Sequence, residues 1–282
     1  MKKMFKSFKY ANKNNIVTIG VMICLYLMFN AWVFTPETDI IMYISLIQLG
    51  IIFIAMSPVG SWLLRVIYKT KKMRGNQTVN ELFHEVYDSV KQKYPDCPKN
   101  IKLYYDRDMT INAYAVGSNT IVITRGSFES LNDDQLRGVL AHEFGHLVHK
   151  DTTIPLVWLV GNMIFLLFFI FFKIFQLMAI IIDGIMRSES SHFTSRIINF
   201  VINLGLGLFL LVLTAVLSIN QRANEYKADY FAYSVDYGDE LLSALKLLDR
   251  LDMSGNRSLL DSIKASHPYT DDRIHEMERL LG

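Results

Sequence analysis

Two histidines four residues apart, His142 and His146, enclose Glu143 in a His-Glu-x-x-His pattern. On a helix, side chains at i and i+4 leave the same face about one turn apart. Both imidazoles can then reach one divalent ion while Glu143 addresses a water beside it. Two nitrogens and a carboxylate suit zinc, which polarises a carbonyl and lowers the pKa of bound water, so the chemistry would be peptide-bond hydrolysis. Such a pentapeptide also arises by chance, and a third ligand is required. Glu225, within Arg222-Ala223-Asn224-Glu225-Tyr226-Lys227-Ala228-Asp229, is the candidate. Asp229 follows one turn later and could accept the second ring N–H of a ligand histidine; the alternative for this pair is a solvated acidic stripe. His149 stands seven residues past His142, about 10 Å along a helix axis, too nearly collinear to share the metal. It reads as a solvated or hydrogen-bonding histidine.

The elements that would position these groups are legible locally. Asn132 with Gln135 three residues on makes a capping box, and Leu136, Val139, Leu140, Phe144, Leu147 and Val148 recur at helical spacing. The two histidines therefore lie on an amphipathic helix. Upstream, Tyr114, Val116, Ile121 and Ile123 flank the turn-forming Gly117-Ser118-Asn119, which predicts a β-hairpin. An exposed strand beside the metal helix can bind an extended polypeptide by strand addition; an ordinary structural hairpin is the alternative.

Composition assigns the rest of the chain to a bilayer. Hydrophobic residues make up 51% and charged residues 20% of the 282, with mean hydropathy +0.23, unusual for a soluble enzyme. Ile16–Phe34, Ile40–Leu64, Ile154–Phe172 and Ile197–Ile219 are four uncharged runs of roughly the 20-residue spanning length. The first is too long for an ordinary secretory signal and lacks a small-residue cleavage site, so it reads as a retained anchor. Lys2, Lys3, Lys6, Lys9 and Lys13 before it, and Arg65, Lys69, Lys71, Lys72 and Arg74 after the second run, place both termini and the His142 region in the cytoplasm. The loop Asp183–Arg196 would lie outside, with Lys173 snorkelling to the outer interface and 174–182 interfacial. The expected organisation is a first membrane hairpin (1–64), a cytoplasmic piece with the metal helix (65–153), a second hairpin (154–219) and a second cytoplasmic piece (220–282). The net charge of +2 is accounted for by basic residues flanking the spans, and nucleic acid is not an expected partner. Cys24 and Cys97 fall in different compartments and read as free thiols.

With Asp151 five residues after His146, Glu225-x-x-x-Asp229 beyond two spans, Met56-Ser57-Pro58, Asn112-Ala113-Tyr114-Ala115-Val116-Gly117, and Ser266-His267-Pro268 followed by Arg273-Ile274, the chain resembles the HtpX group of membrane zinc endopeptidases, relatives of the CAAX prenyl endopeptidases. The resemblance implies a mainly α membrane protein with four transmembrane helices and a cytoplasmic α+β, zincin-like metalloprotease domain carrying a small β-sheet. It implies one Zn2+ per chain held by His142, His146 and Glu225, Glu143 as general base, and His267 stabilising the tetrahedral intermediate, with capping of the last helix as the alternative for His267. Asp229, Asp151 and Arg222 would support the ligands from behind, and Asn112, Ala113, Tyr114 and Ala115 would bind substrate. Tyr269, His149 and Lys150 depart from the common pattern without touching a ligand. The ligand segments lie eight residues before the third run and six after the fourth, roughly 9 to 12 Å from the membrane if helical. Expected partners are the lipid bilayer and membrane-protein or unfolded polypeptide substrates, and the expected place is a bacterial cytoplasmic membrane, in protein quality control. The alternatives are a CAAX-type prenyl-protein endopeptidase, for which four spans are few, and a catalytically silent membrane chaperone or scaffold.

Overall fold

A computed structural model of the chain describes residues 17–29, 38–56, 69–117, 119–152, 189–253 and 270–282, with His267 and shorter pieces between them. The N-terminal lysines, most of the run from 154 to 172, and Ser57, Pro58, Ser118, Ser266 and Pro268 lie outside the described residues. In chain order the elements are α1 (Val17–Phe29), α2 (Thr38–Met56), β1 (Lys71–Lys72), α3 (Gln77–Lys93), β2 (Lys102–Asp106), β3 (Ala113–Val116), β4 (Thr120–Thr124), α4 (Arg125–Ser130), α5 (Asp133–His149), α6 (Glu189–Ser234), α7 (Gly238–Met253) and α8 (Thr270–Leu281). They fall into two compact units, one of residues 1–15, 56–153 and 220–282, the other of residues 16–55 and 154–219.

The first unit is a small sheet with helices. Its strand order is β1-β2-β4-β3, with β2 parallel to β4 and the other pairs antiparallel. The central strand β4 reads Thr-Ile-Val-Ile-Thr, a β-branched run suited to a pleated surface, and all five positions are buried. β3 and β4 form the hairpin foreseen around Gly117, which takes a positive φ of 61° at the turn. α3 turns Val79, Leu82, Phe83, Val86, Tyr87 and Val90 inward, one stripe at helical spacing. Phe83 and Tyr87 stack on Phe144 of α5 with ring centroids 5.4 Å apart in both pairs. α7 meets α5 where Gly138 leaves room: a Cβ there would stand 2.2 Å from the Leu241 backbone nitrogen. These contacts clamp α5 from two sides, and α5 carries the His-Glu-x-x-His residues.

In the second unit Met22 and Tyr26 of α1 are buried with Ile154 and Leu213, and Phe209 packs against Tyr26 and Phe29. Among its described residues Met28, Leu46, Ile47, Phe171, Phe200, Leu204, Leu208 and Leu211 are all exposed. Among the described residues one stretch, Asn203–Ser234 within α6, is long and apolar enough to cross a membrane; α1 and Met42–Ile51 are apolar and shorter. One expectation changes here. Residues 189–196, expected in a loop, already belong to α6, which runs 46 residues without a break through Glu225 and Asp229. Lys173 donates to Asn203 Oδ1 at 2.7 Å, so an amide receives the ammonium. Both cysteines are free, Cys97 buried and Cys24 exposed.

Candidate metal centre

α5 is fixed at its start by the capping box: the Asn132 side chain accepts from Gln135 N at 2.8 Å and Gln135 Oε1 accepts from Asn132 N at 3.1 Å. It stops at Lys150, which adopts a left-handed φ of 59° and returns its N–H to His146 O and Leu147 O. That reversal turns Asp151 back, so that its Oδ2 lies 3.4 Å from His146 Nδ1. His142 Nδ1 is held in the same way by Asp229 Oδ1 at 2.8 Å. Each imidazole is thus backed by a carboxylate that favours an N–H at Nδ1 and leaves Nε2 as an acceptor.

The two Nε2 atoms face one another at 3.1 Å, and the Glu225 oxygens approach them at 3.4 Å (His142) and 3.5 Å (His146). Three acceptors converging with no donor among them would repel. The separations match the edge of a tetrahedron, about 3.3–3.4 Å, whose corners lie 2.0–2.1 Å from a central zinc. The donor set therefore fits a divalent cation. Charge points the same way: burial alone would lower the pKa of His146, yet Asp151, Glu225 and Glu143 hold it well above the ordinary histidine value. The pocket favours a positive charge at this position.

One donor atom each from His142, Glu143, His146 and His267 also lies within 4.8 Å of the others. His267 is nevertheless poorly suited to ligation, because both ring nitrogens face acceptors. Nδ1 is 3.0 Å from Glu225 Oε2, and Nε2 is 3.0 Å from the Ala113 carbonyl and 3.4 Å from Glu143 Oε1. Burial opposes protonation, but Glu225 and Glu143 outweigh it and raise the pKa. His267 is a double donor, which leaves His142, His146 and Glu225 as the set that could hold a metal. Glu143 is buried beside them, and its Oε2 has no hydrogen-bond partner among the described residues.

The cation behind the site is Arg273. Its Nε and Nη2 fork onto the two Asp229 oxygens at 2.8 and 2.7 Å, and Nη1 reaches Glu225 Oε2 at 2.9 Å. Its Nη2 also lies 3.4 Å from His142 Nδ1, but the shorter Asp229 contact claims that ring proton. Burial would raise both carboxylates; His267 and Arg273 instead hold Glu225 well below the usual range, and Arg273 with His142 lowers Asp229. Arg222, expected in this supporting role, lies elsewhere: it is half exposed and donates to Asp272 Oδ2 at 2.6 Å in the acidic first turn of α8. His149 is buried, not solvated, with its ring edge-on to Phe231 at 5.8 Å, and burial pushes its pKa down to about 4.

The Asn112–Ala115 segment borders the site along β3, an edge strand. The Asn112 carbonyl accepts from Thr124 N at 3.0 Å, so with the observed register Asn112, Tyr114 and Val116 bond inward to β4. Ala113 and Ala115 consequently direct their peptide groups away from β4, but the strand is not exposed as expected: Ala113 is buried with His267 Nε2 on its carbonyl, and Ala115 is half-buried. The Asn112 N–H is pinned by Thr124 Oγ1 at 2.9 Å and Ser127 Oγ at 2.7 Å. Tyr114 turns its hydroxyl to Asp106 Oδ2 at 3.3 Å.

The sequence profile of peptidase family M48 matches residues 74–281. The protease HtpX of Legionella pneumophila subsp. pneumophila (strain Philadelphia 1) is 29% identical over 120 residues, 41% of either chain. The chain thus covers about two fifths of the length of that relative. The protease HtpX of Idiomarina loihiensis is 26% identical over 233 residues, 76% of either chain. A crystal structure of S. mikatae Ste24p superposes with a TM-score of 0.48 at 20% identity, covering 98% of this chain and 67% of that one.

Proposed function

The chain belongs to peptidase family M48, and from that premise we propose that it is a zinc-dependent endopeptidase, anchored in a membrane and cleaving membrane-protein or unfolded polypeptide substrates. The observation that carries the reading is the convergence of His142 and His146 Nε2 with Glu225, from a helix some eighty positions away in sequence, at 3.1 to 3.5 Å. A cation between such buried acceptors stabilises them together.

Zinc, when bound by His142, His146 and Glu225, supplies polarisation of the scissile carbonyl and a lowered water pKa. The protein groups do the rest. Glu143 Oε2, buried and without a hydrogen-bond partner among the described residues, takes a proton from the attacking water and passes it to the leaving amine. His267, held as a cation between Glu225 and Glu143, turns its Nε2–H from the Ala113 carbonyl to the developing oxyanion and keeps Nδ1–H on Glu225. The outward peptide group of the half-buried Ala115 holds an extended substrate by strand addition, which demands backbone and little sequence. Asp151 and Asp229 keep the ligand rings in one tautomer, and Arg273 keeps Asp229 in place.

Membrane anchorage is supported by the Asn203–Ser234 stretch and by the exposed apolar side chains of the second unit, which water would not tolerate as one surface. On the charge pattern around the apolar runs, the chain crosses four times, with both termini and the metal centre in the cytoplasm of a bacterium, and its role is clearance of damaged membrane proteins. Metal content and cleavage of a membrane-embedded substrate, wild type against Glu143→Gln, test the assignment. The variant should keep one zinc per chain and lose about 10²–10⁴-fold in rate; Glu225→Ala should lose the zinc as well. Wild-type cleavage by Glu143→Gln would end the reading, and a zinc-loaded wild type without turnover would favour a scaffold.

A further inference from the structure

In sequence Gly145 lies between the two histidines, and Ala228 lies between Glu225 and Asp229. In space these two residues are where α5 and α6 meet. A Cβ on Gly145 would stand 3.0 Å from the Ala228 Cα, 3.1 Å from the Phe231 Cβ and 3.3 Å from the Ala228 Cβ. None of these is the tip of a flexible side chain. Ala228 and Phe231 are themselves almost completely buried, so neither can turn outward. A methyl group at position 145 can be admitted only by moving the Glu225-bearing segment away from α5 by a few tenths of an ångström.

Metal sites tolerate about ±0.2 Å in their ligand distances, and the contact lies within one residue of His146 on α5 and of Asp229 on α6. We propose that Gly145 is a positioning residue whose missing side chain sets the separation of the two helices, and with it the reach from His142 and His146 to Glu225. The proposal rests on the reading of those three residues as metal ligands. A glycine in mid-helix lowers helix propensity. Replacing it with alanine should therefore favour α5 as a helix while spoiling the site, and a purely structural role does not separate those two effects.

The test uses the full chain in detergent, with zinc affinity measured by chelator competition and thermal melting measured on the metal-free protein. Gly145→Ala should weaken zinc binding about tenfold or more, the scale of change expected of groups acting behind a metal site. The melting point of the metal-free protein should hardly move. Adding Ala228→Gly removes only the contact at 3.3 Å, and the Ala228 Cα at 3.0 Å and the Phe231 Cβ at 3.1 Å stay in place, so the double variant should recover little of the affinity. If Gly145→Ala does not fold, the double variant is compared with Ala228→Gly alone: folded with zinc bound about tenfold more weakly than that single variant it supports the spacer, and folded with equal affinity, or unfolded, it overturns it in favour of general core packing. A folded Gly145→Ala that binds zinc within about twofold of wild type overturns the proposal and leaves the metal centre standing. A wild type that binds no zinc removes both.

Discussion

Arg273 and His149 are the residues whose surroundings matter most beyond the ligands. Arg273 is the only described cation touching both Glu225 and Asp229, and all three are buried. Arg273→Met should cost about 3–5 kcal/mol in denaturant unfolding of the metal-free protein, because buried Asp229 loses its forked cation and Glu225 loses one of its two, His267 remaining. Arg273→Lys should recover only part, since an ammonium cannot fork onto Asp229. His149 gives a pH dependence. Its folded pKa is near 4 against an ordinary 6.5, so between those values the unfolded chain binds a proton that the folded chain refuses. Stability should therefore fall as pH drops from 6.5 to 4, by roughly 3 kcal/mol from this residue at about 1.4 kcal/mol per unit. His149→Phe should flatten that slope in urea titrations of the metal-free protein; an unchanged slope would show that His149 is not its source. Neither role was legible from sequence. Arg222 sits three residues from Glu225 and looked like the supporting cation, but which arginine reaches the acids is decided by the packing of α8, whose Arg273 lies 44 positions beyond Asp229. His149 is polar by type, and its burial, with its ring against Phe231, comes from a helix contact distant in sequence.

Elements were more readable where their determinants are local. The capping box, the apolar spacing and the turn at Gly117 are all contained within a few residues, and α5 and the β3–β4 hairpin form where those signals predict them. The boundaries of α6 were not. The apolar run and the segment with Glu225 looked like separate pieces, but no proline separates them and the helix passes straight through. The fixing of β3 was hidden too, because it depends on Thr124, which caps α4 and also ties down the chain before the strand. Thr124 Oγ1 accepts from Ser127 N at 3.3 Å and from Asn112 N at 2.9 Å, and donates to Thr110 O at 2.7 Å. Thr124→Val keeps the shape and deletes these bonds. It should cost about 1–3 kcal/mol of stability and, with β3 as the substrate edge, raise KM for long unfolded peptides severalfold with a smaller change in kcat. An unaltered KM in a folded variant would argue that the edge does not hold substrate.

For the whole molecule, the four apolar runs were plain in the composition, and the described structure contains one helix of spanning length together with shorter apolar pieces. If the centre works at a membrane surface, tethering supplies local concentration, which for short flexible linkers reaches the millimolar range. One unfolded segment should then be cleaved faster when joined to a membrane span than when free; equal initial rates at matched bulk concentration would dispose of the proximity argument. The open edge of β3 has a consequence of another kind. An unpaired strand is a template for its own kind, through which copies of a protein can stack into aggregates. Here the strand is four residues long, and one of its outward carbonyls is already taken by His267. An edge so short, with one place filled, offers a passing chain a brief hold without giving a second copy enough ladder to seed a fibre.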